Sequence, residues 1–289
     1  MRLADLLSSS RPIISDGAWG TQLAARGLAA EVPETWNLAH PDRVSAVAAD
    51  YVAAGSQIVL TNTFGGNRLK MAKAGVSEPA ELNRLGAALS KQAAGDQALV
   101  FASIGSTGEL IGLTSTYSED DIEGVFAEQV AAILEGDPDA FVVETFTDLT
   151  EARCALRAIH GLCDLPVAVS LTFDEGRRGP ATLMGVTPEQ AAQELSEAGA
   201  DFVGANCGGL SVEGWVQVVT TMKASTNRPI WAKANAGVPQ LVAGKSVFPM
   251  EPPEFAALGK RLFEAGAKVI GGCCGTSPAH IAALAAALA

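Results

Sequence analysis

The sequence predicts an α/β fold, a single closed (β/α)8 barrel of the TIM type spanning residues 1–289. Three observations predict it. Eight short apolar or β-branched runs recur along the chain, most of them followed by an Ala/Leu/Glu-rich stretch of helical period. The runs are near-continuously apolar rather than alternating, the pattern of parallel strands covered on both faces. The 289 residues contain no low-complexity linker, and one barrel of eight βα units takes about 250 residues or somewhat more. An open doubly wound sheet is the competing architecture. It would bring a glycine-rich phosphate loop after the first strand, and "DGAWGTQL" lacks that spacing.

Taken in order, the first run is "PIISDGA", ending at Asp16-Gly17-Ala18. The helical pattern "PDRVSAVAADYVAAG" precedes the second, "SQIVLTNTF", which ends at Thr61, Asn62, Thr63 and Phe64. "ALVFASIG" is the third, and "DAFVVETF", ending at Glu144-Thr145, is the fourth. "PVAVSLTF" is the fifth, and the helical "PEQAAQELSEAG" leads from it to the sixth, "ADFVGANC", which ends at Asn206-Cys207. "PIWAKANAG" and "AKVIGGCC" complete the set, the last ending at Cys273-Cys274. Gly55, Gly199 and Gly266 follow Ala at helix ends, where a left-handed cap suits glycine. Ser277 and Pro278 read as the N-cap and first residue of the last helix. Gly271, Gly272 and Gly275 either let the backbone pass close to a bound group or relieve crowding at the barrel rim.

Composition narrows the function. A formal charge of −12 argues against nucleic acid or an anionic membrane as partner, though not against a small anion held by local donors. The opening "MRLADLLSSSRP" does not read as a secretory signal, and the longest apolar stretch, "IAALAAALA", is too short to span a bilayer. Five cysteines, an odd number, favour free thiols or a metal over a disulfide framework, so a cytoplasmic location is expected.

In a barrel of this kind the active site gathers at the C-terminal ends of the strands. Cys207, Cys273 and Cys274 then fall on one face, on the sixth and eighth strands. Adjacent cysteines are poor disulfide partners because so small a ring strains the intervening peptide. Three converging thiolates suit Zn2+, and three protein ligands leave a fourth position open, the catalytic pattern. No histidine lies nearby in sequence: His40 and His160 belong to other segments and His280 starts the last helix. An all-thiolate set is a poor activator of water, but its electron density keeps an incoming thiolate nucleophilic. The chemistry implied is activation of a substrate thiol for attack on an alkyl group. The alternatives are three small buried residues, a thiol- or zinc-binding protein without catalysis, and a redox pair at Cys273 and Cys274. Cys154 and Cys163, in and just after a helix, read as structural.

"GANCG" together with "IGGCCGTSPAHI" resembles the signature of the homocysteine S-methyltransferase family, which includes the homocysteine module of cobalamin-dependent methionine synthase and the betaine- and S-methylmethionine-dependent enzymes. "DGAWGTQL", "TNTFGGNRLKM" and "ETFTDLTEA" have counterparts too, so the resemblance runs end to end. It implies a (β/α)8 barrel that methylates homocysteine to methionine, with Zn2+ on Cys207, Cys273 and Cys274. It also implies that Asp16 and Glu144 anchor the substrate's amino group, an electrostatic match for an ammonium. Backbone N–H groups at Gly17 and Ala18 are expected to meet the carboxylate; Thr63 and Asn206 are further substrate-binding candidates. In the betaine-using members a Tyr follows the "TF" of the strand-two motif and another follows the Glu of the strand-four motif; here those positions are Gly65 and Thr145. Trp19, Trp36 and Tyr117 remain for an aromatic cage, while Tyr51 lies in the first helical segment. The expected methyl donor is therefore a methylated corrinoid (methylcobalamin chemistry) carried by a separate protein, with betaine and S-methylmethionine as alternatives.

Overall fold

The computed structural model describes residues 2–29, 32–242 and 245–289. All eight expected runs contain strands: β1 Ile13–Ile14, β2 Ile58–Leu60, β3 Leu99–Gly105, β4 Ala140–Phe146, β5 Val167–Leu171, β6 Phe202–Asn206, β7 Ile230–Ala234 and β8 Ala267–Gly272. They form one sheet in the order β1-β8-β7-β6-β5-β4-β3-β2. Every neighbouring pair is parallel. A parallel bridge between Ser15 and Ile58 closes the ring. Two backbone hydrogen bonds support it, Gln57 N to Ile14 O at 2.7 Å and Asp16 N to Ile58 O at 3.0 Å.

One helix per strand packs outside: Pro41–Ala53, Pro79–Ala94, Glu119–Leu134, Leu149–His160, Pro188–Glu197, Val212–Ser225, Pro252–Glu264 and Pro278–Ala287. Gly55, Gly199 and Gly266 terminate turns with φ of 98°, 101° and 107°, as their position after a helix requires. Ser277 and Pro278 open the last helix as expected. Features not anticipated include the short helices Leu3–Ser8, Trp19–Ala25 and Arg68–Lys73 and two hairpins on the rim, Asp174–Gly176 with Gly179–Ala181 and Gln240–Val242 with Lys245–Val247. Among the described residues no helix is long and apolar enough to cross a membrane.

Alternation along the strands explains how the barrel positions a polar site. Ile58, Leu60, Leu99, Phe101, Val142, Ala168, Phe202, Trp231 and Val269 form one cluster inside the ring, and Leu3, Leu6 and Leu7 of the first helix pack against it. The intervening Val59, Val100, Phe141, Val143 and Val203 belong to the second cluster, between strands and helices. Phe101 stacks on Trp231 with ring centroids 5.6 Å apart, which fills the middle of the barrel. Gly204 is glycine because Trp231 is there: a Cβ would lie 1.9 Å from the Trp231 carbonyl oxygen. Two residues further along the inward face of β3, β4, β5 and β7 the side chains turn polar: Ser103 after Phe101, Glu144 after Val142, Ser170 after Ala168, Lys233 after Trp231. The apolar plug ends and a functional layer begins.

Candidate metal centre and acceptor pocket

Cys207 stands one residue beyond β6, and Cys273 and Cys274 stand just beyond β8. Strand β7 lies between and holds both: Cys207 N donates to Lys233 O at 3.2 Å and Cys273 N to Ala234 O at 2.7 Å. The three sulfurs lie within 4.8 Å of one another, and Cys207 Sγ is 3.8 Å from Cys274 Sγ. Tetrahedral zinc with Zn–S bonds of about 2.3 Å spaces its thiolates about 3.8 Å apart, so the donor set fits that ion. No other His, Cys, Asp or Glu joins the group among the described residues. His280 is engaged elsewhere: Nδ1 accepts the Ser277 N–H at 3.2 Å and Nε2 faces the Met250 carbonyl at 2.9 Å. Cys154 is buried in the helix Leu149–His160, away from the site.

The thiols respond to one another. Hydrogen bonding from Cys273, then from Cys274, holds the Cys207 thiol far below the usual range. The same contacts push Cys273 well above it and raise Cys274. One sulfur therefore ionises readily and the others wait for a cation to replace their protons.

Asn206 braces the site. Its Oδ1 accepts from Ser170 Oγ at 2.7 Å and from Thr145 N at 2.9 Å, while Nδ2 donates to Thr145 Oγ1 at 2.6 Å. The same Nδ2 lies 3.8 Å from Cys273 Sγ. Thr145 and Cys207 both have left-handed backbones, φ 64° and 62°. A β-branched residue is seldom found there, and such strain persists only where the surroundings fix it, as Asn206 does at Thr145. Gly271, Gly272 and Gly275 relieve crowding within the protein. A Cβ on Gly271 would lie 2.7 Å from Asp16 O, and one on Gly272 would lie 2.3 Å from Thr276 Oγ1.

The three cysteines share the wall of a cavity of about 330 Å3 with Gly17, Ala18, Trp19, Glu34, Phe64, Glu144 and Lys233, among others. Glu144 is nearly buried; its Oε1 accepts from Ser103 Oγ at 2.6 Å, and Oε2 has no hydrogen-bond partner among the described residues. Burial pushes its carboxyl above the usual range, while the Lys233 ammonium and the Ser103 hydroxyl act the other way.

Asp16 is placed differently from its expected role as an ammonium anchor. It is fully buried and not part of the cavity lining. Oδ1 faces Lys233 Nζ at 2.5 Å and Ser15 Oγ at 3.3 Å, and Oδ2 accepts from Leu60 N at 2.7 Å and Trp19 Nε1 at 2.8 Å. A carboxylate offers about four lone-pair sites, and these four contacts use them. The Ala18 N–H is also engaged, donating to Thr276 Oγ1 at 3.0 Å, so of the two expected carboxylate donors only Gly17 keeps a free N–H among the described residues. Thr63 lies behind the wall, its hydroxyl donating to Ser103 O at 2.7 Å. Of the three candidates for an aromatic cage, only Trp19 lines the cavity. Trp36 is buried against His40 and Arg43, and Tyr117 is an exposed loop residue.

Two charged groups in the wall were missed by sequence reasoning. Lys233 carried a legible signal, a lysine inside an apolar strand, which a buried position obliges to find a partner. Glu34, on the turn Pro33–Thr35, carried none; its buried carboxylate accepts the Gly65 N–H.

The parallel eight-stranded barrel thus carries three thiols converging at its C-terminal rim, beside a carboxylate-bearing pocket. The family model for homocysteine S-methyltransferase matches residues 13–288, and the chain belongs to that family. The methionine synthase of Mycobacterium tuberculosis is 30% identical across 99% of this chain, which spans 25% of that protein's length. Betaine–homocysteine S-methyltransferase 1 of Danio rerio is 27% identical over 96% of this chain and 73% of its own. The Escherichia coli homocysteine methyltransferase MmuM, solved in a metallated form, shares the fold with a TM-score of 0.82 at 22% identity, covering 98% of this chain and 99% of its own.

Proposed function

We propose that the chain, as one barrel domain working in the cytoplasm, transfers a methyl group to the sulfur of homocysteine to give methionine, with Zn2+ held by Cys207, Cys273 and Cys274. The observation that carries this reading is three thiols within 4.8 Å of one another on the wall of a pocket that also presents the carboxylate of Glu144. Zinc, when bound, keeps a substrate thiol ionised at neutral pH yet nucleophilic. The protein's own groups do the positioning. Glu144 Oε2 receives the ammonium, the Gly17 N–H is available to the carboxylate, and Asn206 fixes Cys273 and the strained Thr145. Trp19 and Phe64 supply apolar wall. Orientation of this kind matters because the methyl carbon must meet the sulfur in line.

Glu144→Gln keeps the shape and the acceptor oxygen but removes the charge. A charge-assisted hydrogen bond contributes on the order of 1.5–3 kcal/mol, so the KM for homocysteine should rise roughly ten- to a hundredfold with zinc content unchanged. An unaltered KM would assign this carboxylate another task.

For the donor, our reading is a methylated corrinoid on a separate protein that docks at the barrel mouth. Glu34 occupies the space beside Gly65, where a Cβ would lie 2.9 Å from its Oε1, so an aromatic ring there has no room. A quaternary ammonium is usually held by several such rings. Glu34 itself favours a second reading, a cationic sulfonium donor such as S-methylmethionine, because its buried carboxylate has no ion-pair partner among the described residues. Zinc-loaded protein assayed with homocysteine and methylcobalamin, a methylated corrinoid protein, betaine or S-methylmethionine separates these. Rapid methionine formation from betaine and not from methylcobalamin overturns the corrinoid reading. No turnover with any donor favours a non-catalytic thiol-binding protein.

A further inference from the structure

Cys273 and Cys274 open a four-residue turn. Thr276 N donates to Cys273 O at 3.1 Å, and Gly275, at the third position, has φ 80°, the conformation a type II turn needs there. The Thr276 side chain adds a second bond to the same carbonyl, its hydroxyl donating to Cys273 O at 2.7 Å. That oxygen belongs to the peptide joining the two adjacent cysteines, so its direction governs how their side chains diverge. The same hydroxyl accepts the Ala18 N–H at 3.0 Å. Thr276 is fully buried, and its hydroxyl lies between two glycine backbones: a Cβ on Gly17 would come to 2.7 Å from Oγ1, and one on Gly272 to 2.3 Å. Ala18 is held in turn by Tyr51, whose buried hydroxyl donates to Ala18 O at 2.8 Å. On its other side the turn is tied to the end of β7: Cys273 N donates to Ala234 O at 2.7 Å, and Ala236 N donates to Cys274 O at 2.9 Å. The adjacent thiols thus hang between the end of β7 and the rim loop after β1. Apart from a 3.4 Å contact of Gly275 N with Thr21 Oγ1, Thr276 makes the side-chain attachment to that loop.

We propose that Thr276 is a positioning residue for the metal centre. Its hydroxyl, with Ala18 as the fixed point, holds the peptide between Cys273 and Cys274 so that both thiols are set for the ion they share with Cys207. Without the hydroxyl the turn keeps its backbone bond but loses its link to the β1 loop. The two thiols must then be ordered when the metal arrives, and ordering on binding lowers affinity. This rests on the proposed zinc site. Packing of the Thr276 methyl and general anchoring of the β1 loop are the competing explanations, and each gives a different pattern among variants.

The test is the zinc affinity of the substrate-free protein, measured by competition with a chromophoric chelator, with circular dichroism on the same samples to check the fold. Thr276→Val keeps the shape and the methyl and removes the hydroxyl; its zinc dissociation constant should rise roughly 10- to 100-fold, the usual effect of losing a group that supports a metal ligand. Thr276→Ala sets no apolar group against the Ala18 N–H; it should show the same loss, and it carries the test if Thr276→Val does not fold. Thr276→Ser keeps both hydrogen bonds without the methyl and should bind zinc within a fewfold of wild type. Tyr51→Phe frees the Ala18 carbonyl but leaves Thr276 on Cys273, and it too should stay within a fewfold. Wild-type zinc affinity in folded Thr276→Val or Thr276→Ala overturns the proposal. So does a Thr276→Ser protein as weak as Thr276→Val, which would assign the effect to methyl packing. A Tyr51→Phe protein as weak as Thr276→Val overturns it as well, in favour of the β1 loop as a whole. If wild-type protein binds no zinc, the metal reading itself fails, and this inference with it.

Discussion

A Cys207→Ala protein is expected to lose its bound zinc and its methyl transfer together while the barrel stays folded. Cys207 sits on the rim one residue past β6, and what fixes it there is backbone: its N–H donates to Lys233 O, and Asn206 before it is bound to Thr145 and Ser170. Alanine keeps the Cβ, so the left-handed φ of 62° is no more strained than before. What disappears is one of three thiolates. Two thiolates hold zinc far less well than three, and even outer-shell changes around a metal cost about 10- to 100-fold in affinity or activity. Loss of a direct ligand should therefore leave below about 1% of wild-type turnover. Ser or Ala at Cys273 or Cys274 should act alike. Metal analysis and circular dichroism on the same sample check the claim. Wild-type activity in Cys207→Ala would remove the metal from the mechanism; normal zinc without activity would give Cys207 a role other than ligand.

The barrel was legible because its signal is repeated and one-dimensional. Each strand is a short apolar run and each helix an amphipathic stretch, so eight repetitions leave little ambiguity. The runs overshoot the strands for a physical reason: Thr61–Phe64, Cys207 and Cys273–Cys274 leave the ladder, and their polar groups bond across the rim instead. The thiol cluster was legible because cysteines at the ends of strands six and eight are separated only by β7 in a closed ring. What the sequence could not supply is which acid faces which base. Asp16 and Glu144 look equivalent as strand-end carboxylates, yet one is saturated by Lys233, Trp19 and Leu60 and the other keeps a free oxygen. The difference is set by Lys233, 217 residues from Asp16 in the chain. No local pattern encodes that pairing; it appears only when β7 and β1 are brought to either side of β8. Glu34 is hidden for the same reason, since its partner Gly65 lies 31 residues away on another loop.

That pairing gives the second large effect, on stability rather than on chemistry. Asp16→Asn should destabilise the protein by about 3–5 kcal/mol, the usual cost of removing one partner from a buried ion pair, because Lys233 is left with its charge and no counter-charge. The amide can still accept from Trp19 Nε1 and Leu60 N through its oxygen, so these bonds do not account for the loss. What remains turned toward Lys233 is an NH2 group, a donor facing a donor. For a chain of this size the midpoint of thermal unfolding should fall by on the order of 10 °C. Adding Lys233→Met to Asp16→Asn should recover much of that fall, since an apolar side chain tolerates the site better than a stranded ammonium, and the two changes are therefore non-additive. If Asp16 instead served chiefly as the anchor of the substrate's amino group, the substrate-free protein would lose little stability, and the change would show only as a raised KM. Thermal unfolding of the zinc-loaded, substrate-free protein decides between them: a midpoint within about 2 °C of wild type, less than 1 kcal/mol on the same scale, sinks the ion-pair account.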